Sequence, residues 1–177
     1  MRNRIRFPLA AGLLVLILLL AGLAAEAKAG HKPERPSEDL ACAAQVARAA
    51  VHTAAAGLSG LLKTLPDEAA RLSALRAFVD AVRFYSDKTG YFYAYDSRCV
   101  NVAHATQKDL VGKNLYDHRD RAGKYVIREL LAAAKQGGGF VEFFWEKPGA
   151  TGTHKKLGYV EPIPGTDWFI GAGVYME

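Results

Sequence analysis

The C-terminal half of this chain, from Gly90 to Tyr175, alternates aromatic and small side chains between turns marked by Gly and Pro. In the run GYFYAYD, Tyr91, Tyr93 and Tyr95 occupy alternate positions, so in an extended strand their side chains share one face of a sheet. A helical face would instead repeat every 3.6 residues. The pattern therefore predicts an aromatic antiparallel sheet. Such a sheet, with one charged connection between its strands, is more typical of a small polar pocket than of a catalytic centre.

Five segments of the sequence predict strands. In chain order they are GYFYAYD, CVNVAHA, FVEFFWE, KLGYVEP and DWFIGAGVY. The short turn from Asp96 to Arg98 separates the first two segments, which predicts a hairpin. The other three are joined by KPGATGTHK and by the tight turn from Pro162 to Gly165, which predicts a three-stranded meander.

Three helices are predicted around this sheet. Ser37 is a suitable N-cap for a long alanine-rich helix, and Pro66, Asp67 and Glu68 open a second helix. Between the hairpin and the meander, YVIRELLAAAKQ predicts a third helix that ends at Gly137. The predicted fold class is therefore α+β, a five-stranded antiparallel sheet with a long N-terminal helix and a helical connection on one face.

The N-terminus has the layout of an export signal. Three arginines precede an uncharged run from Phe7 to Ala25, and the small residues that follow predict cleavage after Ala27 or Ala29. The predicted organisation is a signal peptide at 1–27, a linker at 28–36 and one domain at 37–177. An uncleaved anchor is the alternative, because a run of about 19 apolar residues can also span a bilayer.

Export predicts a periplasmic or secreted protein that meets the membrane only through its signal segment, if that segment is retained. Removal of residues 1–27 takes away three basic residues and one acidic residue, so the formal charge falls from +5 to +3. The sequence has no run rich in lysine and arginine and no nucleic-acid motif. A nucleic-acid partner is therefore not expected.

The exported part contains two cysteines, Cys42 and Cys99. An even number of cysteines in an oxidising compartment predicts one disulfide, which in the chain-entropy model stabilises the fold by roughly 4 kcal/mol. The alternative is that each cysteine is a small buried hydrophobic residue. No CxxC or CxxCH motif is present, so no redox site or bound cofactor is expected.

The order and spacing of GYFYAYD, LVGKNLYDHRD, GGGFVEFFWEKPG and GYVEPIPGTDWFIGAGVY resemble the single Cache domains of bacteria, which are extracytoplasmic PAS-like sensor modules. The resemblance covers roughly residues 35–177. It implies a PAS-like sheet that binds a small organic molecule, often a short carboxylate, beneath the connection that precedes the last three strands. It also implies a membrane receptor or kinase partner. Because the sequence ends at Glu177, a sensor without its own signalling output domain is expected.

A carboxylate ligand requires fixed hydrogen-bond donors, which tyrosine, histidine, lysine and arginine supply. The candidate ligand-binding residues under this resemblance are Tyr93, His104, Lys156, Tyr159, Trp145 and Arg128. In a regular strand Lys156 and Tyr159 face opposite sides, so at most one of them is expected to reach the pocket. For Arg128 a solvated helix charge is the favoured alternative, and for Trp145 it is a core aromatic residue.

Acetate, propionate and pyruvate are the expected ligands, and two alternatives stay open. An amine could be bound through cation–π contacts with the rings of Tyr91, Tyr93, Phe143 and Trp145. A module that has lost its ligand could instead act through protein contacts along the first helix.

Enzymatic activity and a bound metal are not expected. The segment DHRD places Asp117, His118 and Asp120 close together in sequence, but adjacent residues rarely point to one centre on regular structure. No serine or cysteine has the context of a catalytic nucleophile.

Overall fold

The computed structural model describes residues 36–176, so the predicted signal peptide and nearly all of the predicted linker lie outside the described residues. In chain order the elements are α1 (Pro36–Leu62), α2 (Glu68–Ala81), β1 (Tyr93–Asp96), β2 (Asn101–His104), a short 3-10 helix (Lys108–Leu110), α3 (Val126–Lys135), β3 (Gly139–Glu146), β4 (Thr153–Pro162) and β5 (Trp168–Tyr175). None of the described helices is long and apolar enough to cross a membrane.

The five strands form one antiparallel sheet in the order β2-β1-β5-β4-β3. This arrangement confirms the predicted α+β fold with its hairpin and meander. The central strand β5 pairs with β1 on one side and with β4 on the other. Strand β4 begins at Thr153, earlier than its hydrophobic run suggests, because Thr153 pairs with Glu146 at the end of β3.

Helices cover both faces of the sheet, whereas the sequence predicted helices on one face only. Tyr93 and Tyr95 project toward α3, the helical connection between hairpin and meander. Phe92 precedes β1 and points to the opposite face, where the ring of Phe78 in α2 lies 5.4 Å from it. The long helix α1 also packs on this second face, since Arg48 lies over the ring of Tyr159 in β4. Helix α3 therefore covers one face of the sheet, and α1 and α2 cover the other.

Three glycines line the face of the sheet beneath α3. Gly158 in β4 pairs with Gly173 in β5, and Gly171 in β5 pairs with Tyr93 in β1. A Cβ atom at Gly171 would lie 2.6 Å from Cε2 of Tyr93, and one at Gly158 would lie 2.9 Å from the Tyr93 hydroxyl oxygen. The glycines thus let the tyrosine ring lie directly against the backbone of its neighbours.

The predicted disulfide does not form, because Cys42 and Cys99 are both free thiols. Cys42 belongs to the turn of α1 that borders Met176, beyond the end of β5. Cys99 follows Asp96, which pairs with Trp168 at the start of β5. The eight residues of β5 span roughly 23 Å, whereas bridged Cα atoms lie within about 7 Å of each other. The number of cysteines in a sequence carries no information about the distance between them, so the even count could not reveal this separation.

Replacement of Gly171 by alanine tests the packing of the sheet face. The added methyl group clashes with Tyr93 and Val160, so Gly171→Ala is expected to lower the free energy of unfolding by about 1–3 kcal/mol. Gly57→Ala is the matched control, because a Cβ atom there meets nothing within 4 Å and alanine favours the α1 helix by about 1 kcal/mol. Urea denaturation measures both changes. Equal effects of the two substitutions would contradict the packing argument.

Candidate functional site

A small cavity, the inner cavity, lies between the sheet and α3. It is lined by Tyr93, Tyr95, His104, Val126, Ile127, Leu130, Phe143, Trp145 and Lys156. All nine residues are buried, so the lining is shielded from solvent. The inner cavity has a volume of only about 10 Å³. One water molecule needs roughly 10–15 Å³, so the side chains are closely packed around the cavity, and a ligand of a few heavy atoms enters only if they move apart.

Lys156 is the charged group of the inner cavity. Its residue is fully buried, and Nζ lies 3.9 Å from the ring centroid of Tyr91, 4.8 Å from that of Tyr175 and 5.4 Å from that of Tyr93. No residue from 36 to 176 accepts a hydrogen bond from Nζ. Burial lowers the pKa of this amine, an effect that Tyr91 opposes. The aromatic faces stabilise the ammonium but do not neutralise it.

Tyr93 contributes a second free donor to the inner cavity. Its hydroxyl is buried and finds no hydrogen-bond partner among the described residues. Burial raises the pKa of Tyr93 well above its ordinary value, so the hydroxyl keeps its proton at neutral pH. A buried hydroxyl without a partner is costly, so this group is available to donate to a ligand or a water molecule.

His104 supplies a third donor. Its Nδ1 accepts the backbone N–H of Thr106 at 3.3 Å and that of Gln107 at 3.0 Å, so the proton of the neutral imidazole resides on Nε2. Burial, and then the charge of Lys156, lower the pKa of His104 from 6.5 to about 3. The ring is therefore neutral at pH 7, and its Nε2 edge points away from the Thr106 and Gln107 backbone.

Trp145 forms one wall of the inner cavity. Its ring centroid lies 6.4 Å from that of His104 and 6.0 Å from that of Phe143. The indole Nε1–H donates to Oε1 of Gln107 at 2.6 Å. Trp145 thus lines the cavity through its ring while its polar atom is satisfied elsewhere.

Tyr175 is a site residue that the sequence predictions missed. It pairs with Lys156 across β4 and β5, and its hydroxyl lies 3.1 Å from that of Tyr91. The Tyr175 hydroxyl also donates to the carbonyl of Glu146, and burial raises its pKa. The alternation in DWFIGAGVY places Tyr175 on the same face as Gly171, and this was the available signal.

Two of the predicted site residues lie away from the inner cavity. Tyr159 faces α1 on the other side of β4, where its hydroxyl donates to Glu161 at 3.0 Å. The prediction that only one of Lys156 and Tyr159 reaches the pocket agrees with this geometry. Arg128 lies on the outer side of α3, where Nε donates to the Tyr116 carbonyl at 2.7 Å and the guanidinium pairs with Asp117. Arg128 holds the connecting segment in place instead of facing the cavity.

The acidic residues and histidine of DHRD serve separate structural roles. Asp120 accepts backbone N–H groups of Ala122, Lys124 and Phe144, and the edge of His118 packs on Trp145. Within residues 36–176 no three His, Cys, Asp or Glu side chains are grouped as metal ligands.

Comparisons with known proteins agree on one family. A family model for the Cache domain matches residues 52–177. The chain is 39% identical over 90 residues to the sensor histidine kinase MctS of Rhizobium johnstonii, covering 51% of this chain and 20% of that protein. It is 35% identical over 115 residues to the methyl-accepting chemotaxis protein McpP of Pseudomonas putida, covering 64% and 21%. The chain therefore spans about a fifth of the length of these relatives.

One solved structure extends the comparison to three dimensions. It is that of a Cache chemosensory domain solved to explain carboxylic acid recognition, which is 30% identical to this chain with a TM-score of 0.68. The match covers 75% of this chain and 92% of that one, so it extends over nearly the whole neighbouring domain.

Substitution of His104 is expected to change the pH dependence of stability. The unfolded chain protonates this imidazole near pH 6.5, whereas the folded chain does so only at about pH 3. Between these values the unfolded state binds more protons, so the free energy of unfolding falls as pH falls, by up to about 1.4 kcal/mol per pH unit. Asparagine at position 104 retains a hydrogen-bond acceptor near Nδ1 but cannot protonate. In urea titrations at pH 6.5 and pH 4, His104→Asn should lose less stability than the unsubstituted chain, and equal losses would refute the assignment.

Proposed function

This chain belongs to the Cache domain family, and we propose that it is an exported sensor domain that binds a small carboxylate in its inner cavity. The observation that carries this proposal is the ammonium of Lys156, which is fully buried and has no acceptor within residues 36–176. No aspartate or glutamate lines the inner cavity in the described structure. An anionic ligand supplies the missing opposite charge and offsets the cost of burying the cation.

The neighbouring donors favour a carboxylate. The Tyr93 hydroxyl and the His104 Nε2–H lie on the same wall as Lys156, and the two rings stack with centroids 6.2 Å apart. A carboxylate has two oxygens and about four acceptor positions, so it can accept from all three groups at once. A larger anion would satisfy the same donors but exceed the space available.

The aliphatic part of the lining indicates which chemical group is attached to the carboxylate. Val126, Ile127 and Leu130 of α3 cover the site with aliphatic side chains. These surfaces suit a short alkyl or acyl group. Acetate, propionate and pyruvate each join one carboxylate, which matches the single cationic group, to a short alkyl or acyl group. The similar Cache domain studied for carboxylic acid recognition supports the same ligand class.

Two other functions are less compatible with the inner cavity. An amine would have to share the faces of Tyr91, Tyr93 and Tyr175 with Lys156, whose ammonium already lies over them. Two cations at that distance repel each other in a buried site. A module without a ligand would leave the donors of Lys156 and Tyr93 buried and unpaired at a lasting cost to stability.

We place this domain outside the cytoplasm, in the periplasm or secreted, with a receptor or kinase as its signalling partner. The matched relatives are a sensor kinase and a chemotaxis protein, which supports a sensory role over an enzymatic one. The connecting segment 116–123 is the part expected to respond to ligand. Arg128 links it to α3, which covers the inner cavity.

Replacement of Lys156 by methionine separates binding from stability. Methionine keeps most of the side-chain volume, so the ligand-free protein should gain on the order of 1 kcal/mol in its free energy of unfolding when the buried charge is removed. The affinity for acetate, propionate and pyruvate should fall about 100-fold, equivalent to roughly 3 kcal/mol. Isothermal titration calorimetry and thermal unfolding with increasing acid concentration measure the two effects.

Lys155→Met is the control for this experiment, because Lys155 is the exposed neighbour whose Nζ pairs with Glu142 at 2.8 Å. It should leave carboxylate affinity unchanged. Undiminished binding of the acids by Lys156→Met would reject the carboxylate proposal, and tighter binding of an amine by that variant would favour the amine alternative. If no small acid or amine stabilises the unsubstituted chain, the ligand-free alternative stands.

A further inference from the structure

A second space lies on the other side of Trp145. This outer cleft is bordered by Gln107, Asp109, His118, Arg119, Phe144 and Glu146, among other residues. Its volume is about 230 Å³, compared with about 10 Å³ for the inner cavity. Trp145 is the one described residue that lines both spaces. Its indole ring is therefore the partition between them.

The position of the partition depends on Gln107. The Trp145 Nε1–H donates to Oε1 of Gln107 at 2.6 Å, and this bond satisfies the polar atom of an otherwise buried indole. On its outer side the ring lies beside that of His118, whose centroid is 5.2 Å away and whose side chain is exposed. The hydrogen bond to Gln107 therefore holds the Trp145 ring in place between the inner cavity and the outer cleft.

Gln107 is itself held at both ends. Its side-chain Nε2–H donates to Oε2 of Glu146 at 2.8 Å, which fixes the amide orientation so that Oε1 faces the indole. Its backbone N–H donates to Nδ1 of His104 at 3.0 Å. Gln107 therefore orients both His104, a donor of the inner cavity, and Trp145, the wall that closes this cavity.

We propose that Gln107 is a specificity-determining residue that sets the upper size limit of the ligand by holding Trp145 as a partition. The inference rests on the proposed carboxylate function. With the bond in place, the inner cavity accepts acids of two or three carbons. Without it, the indole N–H turns toward another acceptor or toward water, the two spaces join, and the chain of a longer acid extends into the outer cleft while its carboxylate remains at Lys156.

Two variants test the bond with little change in side-chain volume. Gln107→Met removes the acceptor for the indole N–H but leaves the backbone N–H that orients His104. The double variant Gln107→Glu with Glu146→Gln exchanges the amide and the carboxylate, so both side-chain hydrogen bonds can re-form. A purely structural effect of losing Gln107 would weaken all acids alike, whereas the proposed role changes their ratio.

The experiment measures dissociation constants of acetate, propionate, butyrate and hexanoate by isothermal titration calorimetry on the full chain. The unsubstituted protein should prefer propionate to hexanoate. Gln107→Met should raise the hexanoate-to-propionate affinity ratio at least about tenfold, and the double variant should restore the original ratio. An unchanged ratio in Gln107→Met, with propionate binding retained, would overturn the proposal.

A second measurement does not depend on ligand binding. The chain has two tryptophans, so Trp168→Phe leaves Trp145 as its single indole fluorophore. Acrylamide should quench this fluorescence more strongly when Gln107→Met is added, and the double variant should return quenching to its starting level. If no acid binds any variant, the carboxylate function fails, while equal quenching in all variants would by itself refute the role of Gln107.

Discussion

The candidate site of this domain is organised around the side chain of Lys156, which is buried without an opposite charge beside it among residues 36–176. Lys156 lies on β4 between Phe143 of β3 and Tyr175 of β5, its partners in the two neighbouring strands. Its charge is tolerated because the face of Tyr91 lies 3.9 Å from Nζ and other tyrosine rings surround it. Aromatic faces lower the cost of the cation but leave its hydrogen-bonding capacity unused. That unused capacity is the basis on which we propose an anionic ligand.

Several features of the fold maintain this environment. Glycines on β4 and β5 leave room for the ring of Tyr93, and aliphatic residues of α3 exclude water from above. The low polarity that results also keeps His104 neutral, so that it contributes a hydrogen bond and adds no second positive charge. Gln107 connects this histidine with the Trp145 wall. Charge, donor orientation and cavity size are therefore set by one connected group of contacts.

Much of the fold and part of the site were predictable from local patterns. Strand-like segments bounded by turn residues located all five strands, and side-chain alternation indicated which residues share a face with Tyr93 and with Lys156, both of which line one cavity. Predictions that needed distances between separate elements were less successful. The cysteines lie at opposite ends of β5, and Arg128 projects from the outer side of α3. Neither fact follows from residue type or spacing, because helix rotation and strand register are decided by packing across the whole domain.

The sequence by itself determined the period of each segment, the turns between them and the supply of tyrosine, histidine and lysine donors. These properties are local, since side-chain alternation depends only on the backbone of the same strand. Only the tertiary structure decided that α3 covers one face of the sheet alone, that Tyr175 joins the rings around Lys156, and that Gln107 supports Trp145. Those outcomes depend on contacts between segments that are far apart in the chain. Such contacts stabilise the protein only once the whole domain has folded.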